Sequence, residues 1–345
     1  MSCAQHNLKI LNDTIETLEN KCLFKLICGA SLTDTDIIRD LTFLYALAGA
    51  HIIDVSPDIS VVDSAIEGIN KAKQYFESDP KKFFYFNEPM LMISLNAGED
   101  PHFKTAFIDN NKCNYCKNCV DSCSFEAIKY SDQDKNISIN EKLCYGCGKC
   151  IDKCQNAALY LINNTVNIEH VFTKLINYSI AGIEIHVGKS NIEDLNKFWE
   201  EITKVLGKDC TSKILFSFSL ESAMYTNKAF VEYTKNIVSM VGKKPIIQVD
   251  GTPMSGSNLA ASSLQSMASG QVLERNNVEA YIVLAGGINH LTAKYLKMFE
   301  LDCHGIAMGT YARKLVWPYL RILDNKSNFE KAIRITTNLV QRLEF

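Results

Sequence analysis

Short apolar runs rich in β-branched residues alternate with longer stretches of helical periodicity along most of this 345-residue chain. Eight of the short runs have the length and composition of buried strands, so the pattern predicts an α/β fold. The predicted strands are Phe24–Cys28, His51–Val55, Met90–Leu95, Ile183–Val187, Lys213–Phe218, Pro245–Asp250, Ala280–Leu284 and Gly305–Met308. The predicted helices between them include Asp36–Leu47, Val61–Phe76, Ile192–Val205, Phe230–Val241, Ser262–Arg275 and Leu291–Phe299.

Eight strands, each followed by a helix, predict a TIM-like (β/α)8 barrel. An open, doubly wound α/β sheet is the alternative, since it is built from the same alternation of strands and helices. Glycine and proline residues fall mostly at the predicted strand ends, which suits the loops that join strands to helices. A last apolar stretch, Phe329–Leu343, predicts a C-terminal helix outside the eightfold repeat.

Eight cysteines interrupt this alternation in two runs of the form C-x2-C-x2-C-x3-C, the second displaced by 31 residues from the first. In dicluster ferredoxins, three thiolates of such a run hold one [4Fe–4S] cluster, and the fourth thiolate completes the other cluster. The runs therefore predict two clusters with crossed ligation. Cluster 1 takes Cys113, Cys116, Cys119 and Cys154, and cluster 2 takes Cys144, Cys147, Cys150 and Cys123.

Zinc sites and disulfides are the alternatives for these cysteines. Structural zinc sites use pairs of cysteines, and a disulfide framework needs an oxidising compartment, whereas the chain shows no secretory signal. One departure from the ferredoxin pattern is that Ser124 and Gln155, not proline, follow the last cysteine of each run. Because that proline only rigidifies the turn, ligation of the clusters is expected to survive its loss.

The position of the cysteine runs predicts the domain organisation. Residues 1–100 form the first part of the barrel, with strands 1 to 3, and residues 101–163 form a ferredoxin-like module. Residues 164–345 form the second part, with strands 4 to 8 and the C-terminal helix. The module is thus inserted after the third strand, in a loop at the face of the barrel where active sites lie.

Composition narrows the classes of partner. With 36 basic and 39 acidic residues the net charge is −3, which gives no electrostatic case for binding nucleic acid or an anionic membrane. The apolar stretches have the length of strands, so no transmembrane segment is predicted, and the chain is expected to be cytoplasmic. Five further cysteines are scattered, as expected for reduced thiols: Cys3, Cys22, Cys28, Cys210 and Cys303.

Two glycine-containing loops after the seventh and eighth strands are candidates for binding a phosphate. In many barrels such loops, with the first amides of the following helices, hold a phosphate group. The candidate residues are Gly286, Gly287, Gly309 and Arg313. A flavin mononucleotide or another phosphate-bearing ligand is therefore one hypothesis, and the alternative is that these glycines serve only tight turns.

Polar residues on the strands are the remaining candidates. Asp250 ends the sixth strand and is expected to point into the barrel mouth, where it could contact a ligand or move a proton. Its alternative role is to cap the next helix or to hold its own loop, which contains Pro253 and Met254. Other charged residues on the strands favour a network that fills the barrel interior over a binding pocket: Lys25, Asp54, Glu184 and His186. Cys28 is interpreted as a small hydrophobe, and Trp317 and Tyr319 as packing residues of the last helix.

Six segments together resemble a known family over nearly the whole chain. They are Lys25–Ser31, His51–Val55, the double cysteine run, Gln248–Gly256, Leu284–Asn289 and Met308–Arg313. The chain resembles the light-dependent period iron–sulfur protein (LdpA) family of cyanobacteria. The resemblance implies a redox-responsive input to the circadian clock. It also implies that the partners are redox carriers of the photosynthetic chain and clock-associated proteins.

Two classes of function stay open on the sequence. As a sensor, the protein would change shape or partner affinity with the redox state of its clusters. As an enzyme, it would pass electrons from the clusters to a flavin or other ligand in the barrel mouth. Motifs for a radical S-adenosylmethionine cluster, a P-loop and a dinucleotide-binding helix are absent, so the sensor is favoured.

Overall fold

A computed structural model of the chain describes residues 3–83, 85–164, 166–175, 178, 180–251, 254, 256, 259 and 261–341. The strands are β1 (Leu23–Gly29), β2 (Ile52–Val55), β3 (Met90–Asn96), β4 (Lys104–Ile108), β5 (Ile128–Ser131), β6 (Asn136–Ile139), β7 (Leu159–Asn163), β8 (Gly182–His186), β9 (Leu215–Glu221), β10 (Ile246–Asp250), β11 (Tyr281–Ala285) and β12 (Gly305–Met308). The helices are α1 (Cys3–Glu19), α2 (Thr35–Leu47), α3 (Ile59–Ser78), α4 (Asn118–Ser122), α5 (Lys149–Asp152), α6 (Ile168–Leu175), α7 (Ile192–Ser212), α8 (Asn227–Val241), α9 (Ala261–Arg275), α10 (Thr292–Met298), α11 (Thr310–Val316) and α12 (Lys326–Gln341).

The eight predicted strands form a closed parallel barrel in the order β1-β12-β11-β10-β9-β8-β3-β2. The barrel closes where β1 pairs with β12, with Leu23 opposite Gly305 and Leu26 opposite Met308. An open sheet has no such pairing between its first and last strands, so the predicted barrel is confirmed. Because all eight strands are parallel, their carboxyl ends meet at one mouth.

Helix α1 covers the opposite end of the barrel. It is not among the helices predicted from the sequence. Leu11 and Leu18 of α1 pack in one apolar cluster with Leu23, Ile52 and Met90, which lie at or near the starts of three strands. The burial of this face removes apolar surface of both the helix and the barrel floor from water. The mouth is therefore the end at which a ligand can approach the barrel interior.

The predicted C-terminal helix is α12, which begins three residues earlier than expected; position 343, its predicted end, lies outside the described residues. Phe329 of α12 stacks on Phe43 of α2, with ring centroids 5.6 Å apart. Tyr75 and Phe83 complete this aromatic group. The helix is thus fixed to the outside of the barrel beside the first βα unit.

The ferredoxin-like module lies between β3 and α6, as its position in the sequence predicts. Strands β4 and β7 pair antiparallel at its base, with Lys104 opposite Asn163. The Asn164 amide also donates to the Phe103 carbonyl at 2.7 Å, which brings the two ends of the insertion together. Strands β5 and β6 pair antiparallel as a hairpin, with Ile128 opposite Ile139. The insertion therefore contains two two-stranded sheets, one of which joins its two ends.

Two half-buried histidines outside the module accept backbone hydrogen bonds from barrel strands. The Phe24 amide donates to His51 Nδ1 at 3.0 Å, and the Ile282 amide donates to His304 Nδ1, also at 3.0 Å. Burial lowers the pKa of each imidazole from 6.5 to about 4. Both imidazoles therefore accept these backbone hydrogen bonds in their neutral form.

We expect these histidines to make the barrel less stable as the pH falls from 6.5 towards 4. Protonation is easier in the unfolded chain than in the fold, so stability that is present above pH 6.5 is lost below it. Between pH 7.5 and 5 the loss should be about 1–2 kcal/mol for each half-buried histidine. The double variant His51→Asn, His304→Asn keeps two acceptors that do not titrate. Its free energy of unfolding in urea, measured anaerobically, should fall less over this range; equal slopes for both proteins would contradict the assignment.

Candidate metal centres and barrel mouth

The eight cysteines of the double run line two separate cavities in the module. The first cavity is lined by Cys113, Cys116, Cys119 and Cys154, with apolar cover from Ile108, Ile137 and Leu159. The second is lined by Cys123, Cys144, Cys147 and Cys150, with Phe125 and Tyr145 beside them. In each group three thiols come from one run and the fourth comes from the other run. Four thiols around one cavity are the donor set of a cubane iron–sulfur cluster.

The two runs repeat one backbone conformation as well as one spacing. Positive φ angles occur at Tyr115 (56°) and at Gly146 (73°), which is the equivalent residue 31 positions later. Lys117 (65°) and Gly148 (74°) form a second such pair. In each run, the turn made by its two positive-φ residues directs the chain into a short helix, α4 in the first run and α5 in the second. The last cysteine of the run follows this helix and lines the other cavity.

Backbone amides point at the thiols in both cavities. Amide hydrogen bonds to sulfur reach Cys113 from Tyr115 at 3.3 Å and Cys154 from Ala158 at 3.3 Å. The Ala106 amide in β4 donates to Cys144 Sγ at 3.2 Å. Such bonds stabilise thiolate ligands and raise the potential of a cluster.

Burial opposes ionisation of the same thiols when no metal is bound. It raises the pKa of Cys150 to about 12, and neighbouring thiols raise that pKa further. Burial also raises the pKa of Cys144. Because metal ligation requires the thiolate, iron must take the place of these protons when the centre is assembled. The fit to iron–sulfur ligation therefore rests on the four thiols around each cavity and on the amides directed at their sulfur atoms.

The charged residues on the inner strands form the network that the sequence favoured. Lys25 Nζ lies 2.5 Å from Glu184 Oε2 and 3.4 Å from Asp54 Oδ2, and all three side chains are buried. Gln248 accepts from the same ammonium group at 3.0 Å. Burial lowers the pKa of Lys25, but Glu184 and Asp54 outweigh it, so the net shift is upward and the ammonium stays charged. His186 is not part of this network, because it faces Asp100 instead.

Above the network, the five predicted residues of the mouth line one cavity: Asp250, Gly286, Gly287, Gly309 and Arg313. A β-carbon at Gly287 would lie 2.0 Å from the Ser262 carbonyl oxygen, and one at Gly286 would lie 2.7 Å from the Gly251 nitrogen. Both glycines are therefore needed where the loops after β10 and β11 pack together. This packing supports the turn interpretation of the two glycines, and the phosphate site stays a prediction.

Asp250 ends β10, and its carboxylate faces the mouth. Burial raises the pKa of this carboxyl to about 6, although the nearby rings of His102 and His186 act in the opposite direction. The Ser222 hydroxyl donates to the Asp250 carbonyl at 3.2 Å and fixes the backbone there. Of the loop that follows, the structure describes Met254, which lines the mouth, whereas position 253 lies outside the described residues.

The guanidinium of Arg313 joins the barrel to the module. It donates to the Ile27 carbonyl at 2.7 Å and lies over the rings of Tyr145 (5.0 Å) and Phe125 (5.6 Å). Among the described residues, no carboxylate forms an ion pair with this buried cation. The ionisable groups beside it are thiols and phenols, including Cys147 of the second cavity. Trp317, expected to pack the last helix, also packs edge-on against Phe125 at 4.5 Å.

Other contacts hold the module over the mouth. The Ser31 hydroxyl donates to the His102 carbonyl at 2.5 Å, and the Thr33 and Asp34 amides donate to the Lys142 carbonyl. Tyr145 and His102 of the module line the same cavity as the barrel residues. Cys28 lies buried below this contact, and burial raises the pKa of its thiol to about 12, as suits a small apolar side chain.

The sequence interpretation missed Asp100 and His102, which lie at the entry of the module. The Asp100 carboxylate accepts from both the His102 amide and the His102 ring at 2.7 Å. Burial opposes ionisation of Asp100, yet His102 and His186 hold its pKa below the usual range. Asp100 also raises the pKa of His186 to about 9 against the effect of burial. The available signal was position: both residues follow a barrel strand at the mouth.

A TIM-type barrel that carries eight cysteines around two cavities defines an iron–sulfur protein. Residues 112–159 match the 4Fe-4S dicluster domain, and residues 174–344 match the C-terminal domain of Light dependent period A. The chain is 27% identical over 344 residues to Light dependent period A of Synechococcus elongatus, covering 95% of this chain and 89% of that protein. The chain is therefore a homologue of Light dependent period A that also carries a 4Fe-4S dicluster domain.

Comparison with solved structures finds other barrels at low identity. The YdjI aldolase of Escherichia coli K12 aligns over 98% of this chain and 94% of its own, with 9% identity and a TM-score of 0.47. The tryptophan synthase α subunit of Legionella pneumophila aligns over 97% and 98%, with 8% identity and the same TM-score. Within the described ranges, every helix is too short or too polar to cross a membrane.

Proposed function

We propose that the protein is a redox sensor with two [4Fe–4S] clusters. In this proposal, the redox state of cluster 2 changes the contacts that Arg313 makes at the barrel mouth. The grouping of the thiols supports two clusters with crossed ligation. Cluster 1 is held by Cys113, Cys116, Cys119 and Cys154, and cluster 2 by Cys123, Cys144, Cys147 and Cys150. A cubane with four thiolate ligands is anionic, and one-electron reduction adds a further negative charge.

The observation that carries this proposal is the buried Arg313 between cluster 2 and the mouth. A charge that is taken out of water is costly unless an opposite charge lies close to it. Within the described residues the groups near Arg313 are aromatic rings, the Ile27 carbonyl, the Thr310 hydroxyl and the thiols of Cys28 and Cys147, of which Cys147 belongs to cluster 2. Cluster 2 is therefore the natural counter-charge of Arg313, and reduction strengthens their attraction. Because Arg313 also binds the end of β1, the redox state reaches the barrel.

The family supplies the biological setting of this proposal. The relative in Synechococcus elongatus is named for a light-dependent period. We infer that light sets the redox state of the clusters through carriers of the photosynthetic chain, and that the barrel face reports it to clock-associated proteins. The proposal places the protein in the cytoplasm, where a reducing environment keeps its 13 cysteines as thiols or iron ligands.

An iron–sulfur oxidoreductase is the second candidate function. Tyr145 lies between Cys144 and Cys147 in the chain and also lines the mouth, so cluster 2 and the mouth share one wall. Electrons could pass across this wall to a phosphate-bearing ligand or a flavin. The buried, charged Arg313 favours the sensor, because its guanidinium faces the cluster and the Ile27 carbonyl and supports the module.

Hydrogen exchange in the oxidised and dithionite-reduced protein tests the sensor. We expect slower amide exchange after reduction in α11 and in residues 143–150, because a stronger attraction to Arg313 tightens the contact between them. Helix α8, on the far side of the barrel, is the internal control and should exchange at equal rates in both states. Equal exchange of α11 in both states would contradict a signal through Arg313.

A further inference from the structure

A second group of potential metal ligands lies at the barrel mouth, outside the cysteine module's two cavities. Asp100, His102 and His186 each offer a ligand atom, and these three atoms all lie within 4.8 Å of one another. Asp100 and His102 begin the insertion after β3, and His186 ends the neighbouring strand β8. His186 thus sits at a strand end, whereas Asp100 and His102 lie at the short 3-10 turn that follows β3.

His186 gives an independent indication that this group binds something. Its side chain is 5% exposed, and within the described residues its Nδ1 atom makes no hydrogen bond. The nearest acceptor, Asp100 Oδ2, is 3.7 Å away, too far for a hydrogen bond. A buried ring nitrogen without a partner is costly, and native structures rarely leave one.

The spacing of these atoms suits two ligands on one ion. Nitrogen and oxygen ligands lie about 2.0–2.1 Å from a tetrahedral zinc ion, which places neighbouring ligand atoms about 3.3 Å apart. The 3.7 Å between His186 Nδ1 and Asp100 Oδ2 needs only a small adjustment to reach this value. His102 Nδ1 lies 2.7 Å from the other Asp100 oxygen, so it is the ring nitrogen within reach of the same ion, which would take the place of the proton between these two atoms.

We propose that Asp100, His102 and His186 bind one divalent transition metal ion at the barrel mouth. Two histidines and one carboxylate are the ligand set of catalytic zinc sites and of mononuclear iron sites, and both leave coordination positions open. Asp250 lines the same two cavities as His102, so its carboxylate lies beside the candidate site. The ligand that completes the coordination is therefore a small oxygen-bearing molecule or water entering from the mouth.

This site goes beyond the proposed sensor function and does not depend on it. The ion lies in the mouth cavity that Tyr145 of cluster 2 also lines, so the two centres share a cavity without sharing a ligand. The competing occupant of the His186 nitrogen is a proton, which makes an imidazolium paired with Asp100. A protein whose His186 nitrogen carries only a proton binds no metal at this group, so a metal titration distinguishes the two occupants.

Anaerobic equilibrium dialysis of the full-length, cluster-loaded protein against Zn²⁺, with iron and zinc measured by mass spectrometry, tests the site. We expect one zinc per chain in addition to the full iron content. His102→Gln and His186→Gln should each weaken zinc binding at least tenfold. His170→Gln, an exposed histidine on α6, is the matched control and should bind zinc as the wild type does. X-ray absorption spectroscopy at the zinc edge should find imidazole nitrogen atoms at about 2.0–2.1 Å from the zinc ion.

Two results would overturn the proposal. One is a wild-type protein that takes up no zinc while its iron content stays constant. The other is equal zinc affinity in the wild type, His102→Gln and His186→Gln. Should His186→Gln lose its clusters or its circular dichroism spectrum, Asp100→Asn provides the same comparison from the turn that follows β3. A protein that binds no zinc but still shows redox-dependent exchange keeps the sensor function, and the converse result keeps the metal site alone.

Discussion

Replacing Cys154 with serine is expected to remove cluster 1, although Cys154 belongs to the second cysteine run. The iron content should fall from about eight to about four per chain, because a cubane that loses one thiolate on its exposed side is lost in most cases. The reason lies in the chain path: α5 carries Cys154 into the cavity of the first run, where the Ala158 amide donates to its sulfur. In the proposed crossed ligation, Cys154 is thus the fourth ligand of cluster 1.

A set of four variants separates crossed from local ligation. With crossed ligation, Cys154→Ser should give the spectrum of Cys116→Ser, and Cys123→Ser should give that of Cys147→Ser. Electron paramagnetic resonance of the reduced proteins distinguishes the two pairs. The opposite grouping, in which Cys154→Ser matches Cys147→Ser, would refute crossed ligation. Cys210→Ser, an exposed cysteine outside both runs, serves as the control and should retain both signals.

The barrel could be predicted from the sequence because its signal is local. Each strand is a short apolar run, and the observed ends differ from the predicted ones by at most three residues. Helix α1 has comparable spacing, with apolar positions at Leu11, Ile15 and Leu18. The position of α1 depends on its packing against the barrel floor. The spacing of its apolar residues does not indicate which surface the helix covers.

The grouping of the eight cysteines around two cavities was also accessible from the sequence, since their spacing is that of dicluster ferredoxins and repeats after 31 residues. The function of Arg313 was not accessible in this way. Its sequence context, after the glycines of the last strand, predicted a phosphate contact. Its actual neighbours, Phe125 and Tyr145, lie more than 150 residues earlier and reach it only because the module folds over the mouth. For the same reason Asp100 and His102 became candidates only in three dimensions.

Arg313 is expected to set the potential of one cluster and not the other. A buried cation favours the more negative, reduced state of the cluster that it faces, so Arg313→Gln should make the midpoint potential of cluster 2 more negative. A single charge at this range, partly screened by protein, corresponds to a shift on the order of 50 mV or more. Arg313→Lys keeps the charge but loses the planar contact with Tyr145, so its shift should be smaller.

Potentiometric titration of the wild type, Arg313→Gln and Arg313→Lys, followed by electron paramagnetic resonance, is the most direct measurement of the coupling between cluster and barrel. Arg275→Gln, at an exposed position in α9, is the control for loss of a positive charge elsewhere. We expect that only the cluster affected by Cys123→Ser and Cys147→Ser shifts its potential in Arg313→Gln. Potentials of both clusters that match the wild type, or that shift equally in Arg313→Gln and Arg275→Gln, would contradict it.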